Sequence, residues 1–195
     1  DACAVSLKVT ARKTVVEALT SATFTNGKVR AYRVNGVETQ WCYRDLIDVL
    51  EPAGKHVDVV VVPKVNGADD VRFVDRLISQ IERSTGLEPG RIRIEVLIET
   101  AKGLLHAEEI ALASPRMASL IFGVADFAGS LGARDFHQDF NAARLQILAA
   151  ARSAGIDAID SVTVQFKDLD QLKHDAANAS RLGFDGKWAI HPAQL

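Results

Sequence analysis

Apolar positions along this chain follow two alternating rhythms. Residues 57–65 form a nearly continuous apolar run, and shorter runs recur at 92–98 and 118–123. Runs of this kind suit parallel strands buried on both faces. Between them the spacing changes. Over 68–84, Val71, Val74, Leu77, Ile78 and Ile81 fall on one stripe, as in a helix lying on a sheet. Extended along the chain, the pattern predicts strands at 28–35, 57–65, 92–98, 118–123, 158–165 and 188–191. It predicts helices at 43–50, 68–84, 103–113, 141–154 and 168–182.

Repeated strand–helix units mean an α/β fold with a parallel sheet. No strand is followed by the Gly-rich turn of a dinucleotide fold, so a (β/α)8 TIM barrel is expected rather than a doubly wound sheet. The 195 residues suit a single catalytic domain. A closed barrel takes about 250 residues, so the chain is expected to lack the first strand and the C-terminal segment. The join at 132–140 is also abrupt, and residues are expected to be absent there.

Barrels carry their chemistry at the C-terminal ends of the strands. Here those ends hold Arg33 and Asn35, Lys64, Glu99, Asp126 and His191. Glu99 and Asp126 follow neighbouring runs and can converge, and two carboxylates with room for water are what Mg²⁺ prefers. Either acid alone could equally cap a helix or end a strand. Arg33 can grip a carboxylate or stabilise charge developing on oxygen, or simply close the rim with a salt bridge. Asn35 and Gly36 read as a turn. Lys64 could form a Schiff base, although a lysine in this setting more often pairs with a carboxylate. His106 and Glu109 read as an exposed helix face rather than a metal pair. Gly123, Val124 and Ala125 precede Asp126, and their backbone N–H groups can approach an anionic oxygen. Trp41 and Trp188 read as packing residues.

Composition narrows the rest. With 48% hydrophobic and 25% charged residues and a net charge of -2, the chain has an ordinary globular balance and no support for a nucleic-acid surface. No apolar run is long enough to span a bilayer. Cys3 and Cys42 lack CxxC spacing and read as reduced thiols, so a cytoplasmic protein is expected. GxSxG, Walker and zinc-type motifs are absent from the sequence.

An ordered set of short motifs then becomes specific. Asp1–Lys8 with Ala11-Arg12 resembles the end of a "DLEDAV…K…AR" signature. Arg33-Val34-Asn35, Pro63-Lys64-Val65, Ile98–Gly103, Ser114-Pro115-Arg116, Gly123–Phe127, Ala150–Ile156 and Gly183–Pro192 follow in order. Together they resemble the citrate lyase β-subunit-like group of the HpcH/HpaI aldolase superfamily. The resemblance implies a Mg²⁺-dependent lyase that splits a malyl-, methylmalyl- or citramalyl-CoA-like thioester into an acyl-CoA and a 2-oxo acid. It implies Glu99 and Asp126 as Mg²⁺ ligands and Arg33 on the substrate and the enolate oxygen. It also implies Gly123, Val124 and Ala125 around the oxo-acid carboxylate, Asp1 near the metal's water shell, and a homotrimer or hexamer. An acyl-carrier-protein thioester, a thioester hydrolase and a non-catalytic binding barrel are the alternatives.

Overall fold

The computed structural model describes residues 1–21, 27–134 and 140–195. The abrupt join expected at 132–140 therefore falls largely outside the described residues. The described strands are β1 (Ala31–Arg33), β2 (Val59–Val62), β3 (Arg93–Ile98), β4 (Met117–Phe122), β5 (Asp157–Asp160) and β6 (Gly186–Lys187). They form one six-stranded sheet in the order β1-β2-β3-β4-β5-β6, and every pair is parallel. Such an order never reverses. It has no switch point, so the doubly wound alternative is excluded, and right-handed crossovers keep the helices on one side. The result is the half-barrel arc of a TIM-type fold.

The helices are α1 (Lys8–Thr20), α2 (Cys42–Ala53), α3 (Ala68–Thr85), α4 (Ala101–Leu105), α5 (Ala107–Ala111), α6 (Val124–Ser130), α7 (Asn141–Ser153) and α8 (Leu169–Leu182). Alternate strand residues face opposite ways. Val60, Val62, Ile94, Val96, Ile98, Leu120 and Phe122 pack outward against Leu46, Leu50, Val74, Ile78 and Ile147 in the main core. Each such buried side chain contributes roughly 1.5–3 kcal/mol. Val59, Val61, Leu97 and Ile121 point to the concave face and pack with Ile159 and Trp188. The arc curves enough for Arg33 of β1 to lie 5.6 Å over the Trp188 ring, just past β6. Trp188 is thus a stacking partner as well as a packing residue.

Several boundaries differ from expectation. The strand expected at 188–191 is absent, because the pairing falls one step earlier, at Gly186–Lys187. The strand expected over 158–165 ends at Asp160. The helix expected over 103–113 is two short helices broken at His106 (φ -106°, ψ 12°). Helix α1 was not foreshadowed by the apolar pattern, since two of its three buried residues are Lys8 and Arg12.

Candidate active site

Glu99 continues the parity of Glu95 and Leu97, so it points to the concave side just beyond β3. It does not cap the next helix. Thr100 does, its hydroxyl accepting from the Gly103 N–H at 2.9 Å. Asp126 stands not at a strand end but in the first turn of α6, where a carboxylate suits the helix dipole. Gly123 joins the two. A Cβ there would lie 2.5 Å from the Glu99 Cβ and 2.6 Å from its Oε2, so only glycine lets the Glu99 side chain lie against the chain exit from β4.

Arg33, Glu99 and Asp126 line one cleft of about 450 Å³ at the C-terminal ends of β1–β4, together with Asp1, Asn35, Lys64, Asn66 and Thr100. Arg33 Nε donates to Asp1 Oδ1 at 2.7 Å. Its guanidinium therefore has a carboxylate on one side and the Trp188 face on the other. Lys64 makes the carboxylate pair that was the alternative to a Schiff base. Its ammonium lies 3.1 Å from Asp126 Oδ1, and its backbone N–H donates to Glu99 Oε1 at 2.8 Å. Glu99 is buried, and burial together with the neighbouring Asp126 charge pushes its pKa up to about 7, against the opposing pull of Lys64 and Arg33.

A buried carboxylate held beside a second acid is the environment that a divalent cation relieves. Among the described residues no group of three or more His, Cys, Asp and Glu converges, so a zinc-type cage has no support. Two hard oxygen donors opening on a wide cleft fit Mg²⁺, which keeps several waters.

The remaining sequence candidates separate. The Gly123 N–H donates to Ile98 O at 3.0 Å, so it belongs to the sheet and is not free for a ligand. Val124 and Ala125 open α6, where first-turn N–H groups have no intrahelical acceptor. Val124 also lines a neighbouring cavity of about 430 Å³ with Arg144, Thr163 and Gln171. His106 and Glu109 pair with each other at 2.5 Å on an exposed face. His191 is exposed outside the cleft, stacking on Phe166 and accepting from the Ala193 N–H at 3.1 Å.

Asn35 is more than a turn residue. It is buried, and its N–H donates to Asp45 Oδ2 at 2.8 Å while its Oδ1 accepts from Lys8 Nζ at 2.7 Å. Lys8 Nζ also donates to the Asp1 carbonyl, and Arg12 Nε donates to Asp45 Oδ1 at 2.7 Å. This buried network runs from α2 through α1 to the Arg33–Asp1 pair. No local spacing announces it; the "K…AR" pattern held its only trace.

A model of the HpcH/HpaI aldolase/citrate lyase family matches residues 1–192. The L-malyl-CoA/beta-methylmalyl-CoA lyase of Cereibacter sphaeroides is 36% identical over an alignment that covers 100% of this chain and 67% of the relative. The (3S)-malyl-CoA thioesterase of the same organism is 38% identical, covering 100% of this chain and 64% of its own. The chain thus spans about two thirds of the length of these curated relatives. The crystal structure of protein CitE from Mycobacterium tuberculosis, in complex with magnesium and acetate, superposes with a TM-score of 0.79 at 28% identity, covering 100% of this chain and 74% of that one.

Proposed function

Because the chain belongs to the HpcH/HpaI aldolase/citrate lyase family, we propose that it is a carbon–carbon lyase acting on a β-hydroxyacyl-CoA thioester of the malyl- or methylmalyl-CoA kind. The products are an acyl-CoA and a 2-oxo acid. One observation carries the reading: Arg33, Glu99 and Asp126 come from separate strand–helix units and line one cleft.

Glu99 and Asp126 would hold Mg²⁺, which when bound supplies Lewis-acid polarisation of the substrate's hydroxyl and carboxylate oxygens. The chain's own residues do the rest. The Val124 and Ala125 N–H groups face the oxo-acid carboxylate, and Gly123 gives Glu99 its space beside them. As the hydroxyl loses its proton and the C–C bond breaks, the bonding pair moves to the thioester as an enolate. Arg33, held between Asp1 and Trp188, sets its fixed charge toward that oxygen. A proton returned to the enolate carbon completes the acyl-CoA. No lysine adduct is needed, in keeping with the Lys64–Asp126 pair.

In the whole protein we place the six strands in a closed (β/α)8 barrel forming one catalytic domain, assembled as a homotrimer or hexamer in the cytoplasm. No helix among the described residues is long and apolar enough to cross a membrane. CoA rather than acyl carrier protein is the proposed thioester carrier.

The test is an assay of the full-length protein with Mg²⁺ and malyl-, methylmalyl- and citramalyl-CoA, following glyoxylate and pyruvate. Metal-dependent release of an oxo acid, lost in Glu99→Ala, is expected. The thioesterase relative favours a second reading, hydrolysis of malyl-CoA. Free CoA appearing without an oxo acid would select it over the lyase.

A further inference from the structure

Lys64 is the one non-glycine residue with positive φ among the described residues, at φ 54°. That left-handed region crowds an L side chain, so neighbouring structure must hold the residue there. What the conformation achieves is visible. It turns the Lys64 N–H onto Glu99 Oε1 at 2.8 Å, while the side chain swings to within 3.1 Å of Asp126 Oδ1. A single residue therefore reaches both acids with two different groups.

The two groups are not equivalent. The N–H is fixed in the backbone and occupies one oxygen of a buried carboxylate. The ammonium sits on a flexible stem, and both members of its ion pair are more than half exposed, at 57% and 55%. It can leave. Without a cation in the cleft, the Lys64 ammonium is the positive group on Asp126.

We propose that Lys64 is the placeholder of this site: its ammonium neutralises Asp126 in the empty cleft and is displaced by the incoming divalent cation, while its left-handed N–H holds Glu99 in place in both states. Lys64 is thus a positioning residue that also lowers cation affinity by competition. The inference rests on the metal reading given above. Exposed ion pairs couple weakly, so the competition is worth about two- to five-fold in affinity.

The test is Mn²⁺ titration of the full-length protein, read calorimetrically or by the spin signal of free Mn²⁺, without substrate. Lys64→Met should tighten Mn²⁺ binding about two- to five-fold. Lys64→Gly should tighten it equally without lowering Tm, since glycine accepts the left-handed backbone. Lys64→Val should bind more weakly than Lys64→Met, because a β-branched residue resists that conformation and releases Glu99. Lys102→Met, which removes a charge from the turn after Glu99, should leave the affinity unchanged. Equal or weaker binding by Lys64→Met, or equal tightening by Lys102→Met, overturns the placeholder. Lys64→Val binding as tightly as Lys64→Met overturns the backbone half. Wild-type protein that binds no Mn²⁺ overturns the metal reading and this inference with it.

Discussion

At the scale of single residues the site depends on close approach. Gly123→Ala would force a methyl to 2.5 Å from the Glu99 Cβ. Overpacking of this kind costs about 1–3 kcal/mol, and here it also displaces Glu99. We expect Mn²⁺ binding to weaken at least about tenfold with a modest fall in Tm, measured by titration and thermal melting. Arg33→Lys keeps the charge but loses the fork that spans Asp1 and Trp188. Its kcat should fall by about 10²-fold while Mn²⁺ affinity holds, which separates charge stabilisation from cation binding. Cys42 gives a test of burial away from the cleft. Burial, helped by Asp45 and Asp70, pushes its thiol up to about 12. It should resist alkylation at pH 8 until the protein unfolds, whereas half-buried Cys3 reacts in the native state. That Glu99 and Asp126 converge on one cleft was legible in the sequence because each follows an apolar run, although Asp126 lies in the first turn of α6 and not at a strand end. The left-handed turn at Lys64 was not, since no residue preference marks a lysine for positive φ.

At the scale of elements, legibility followed the apolar stripe. Strand β3 and helix α3 emerged within a residue of expectation because Ile92–Ile98 and Val71–Ile81 carry their own periodicity. Helix α1 was invisible, because Lys8 and Arg12 take buried positions that apolar residues normally fill. Their burial is sustained by Asn35 and by Asp45 of α2. The strand β6 was misplaced because Gly186–Lys187 has no apolar pattern, and Trp188–Ile190 beside it does. The weight resting on Asp45 gives a prediction. Asp45→Ala would leave the buried Arg12 guanidinium only its longer contact to Asp48 at 3.4 Å and would strand the Asn35 N–H. Breaking a buried pair costs about 3–5 kcal/mol. Denaturant unfolding should show a loss of that order, and Arg33-dependent activity should fall with it as Asp1 loses its support.

At the scale of the whole molecule, the two ends of the sheet do different work. The cleft sits where strands end. Where β3 and β4 begin, Glu82 of α3 accepts from both Arg116 and the N–H groups of Gly90 and Ile92. Burial raises the Glu82 carboxyl, and these donors more than offset it, leaving its pKa below the usual value. Ser114, Ser79 and Asp75 complete the cluster. It fastens the edge of the sheet where the strands begin and includes none of the residues that line the cleft. Glu82→Gln should therefore lower Tm by several degrees and leave kcat within about twofold, the division expected of barrel ends. The plain succession of strands has a further consequence. Each new strand pairs with the one made just before it, so the sheet can grow in step with synthesis, without waiting for distant partners. The acidic half of the cleft is assembled once β4 and α6 have left the ribosome. The aromatic face that Arg33 rests on is made later, with Trp188, so a nascent chain would bring its two acids together well before its arginine is braced.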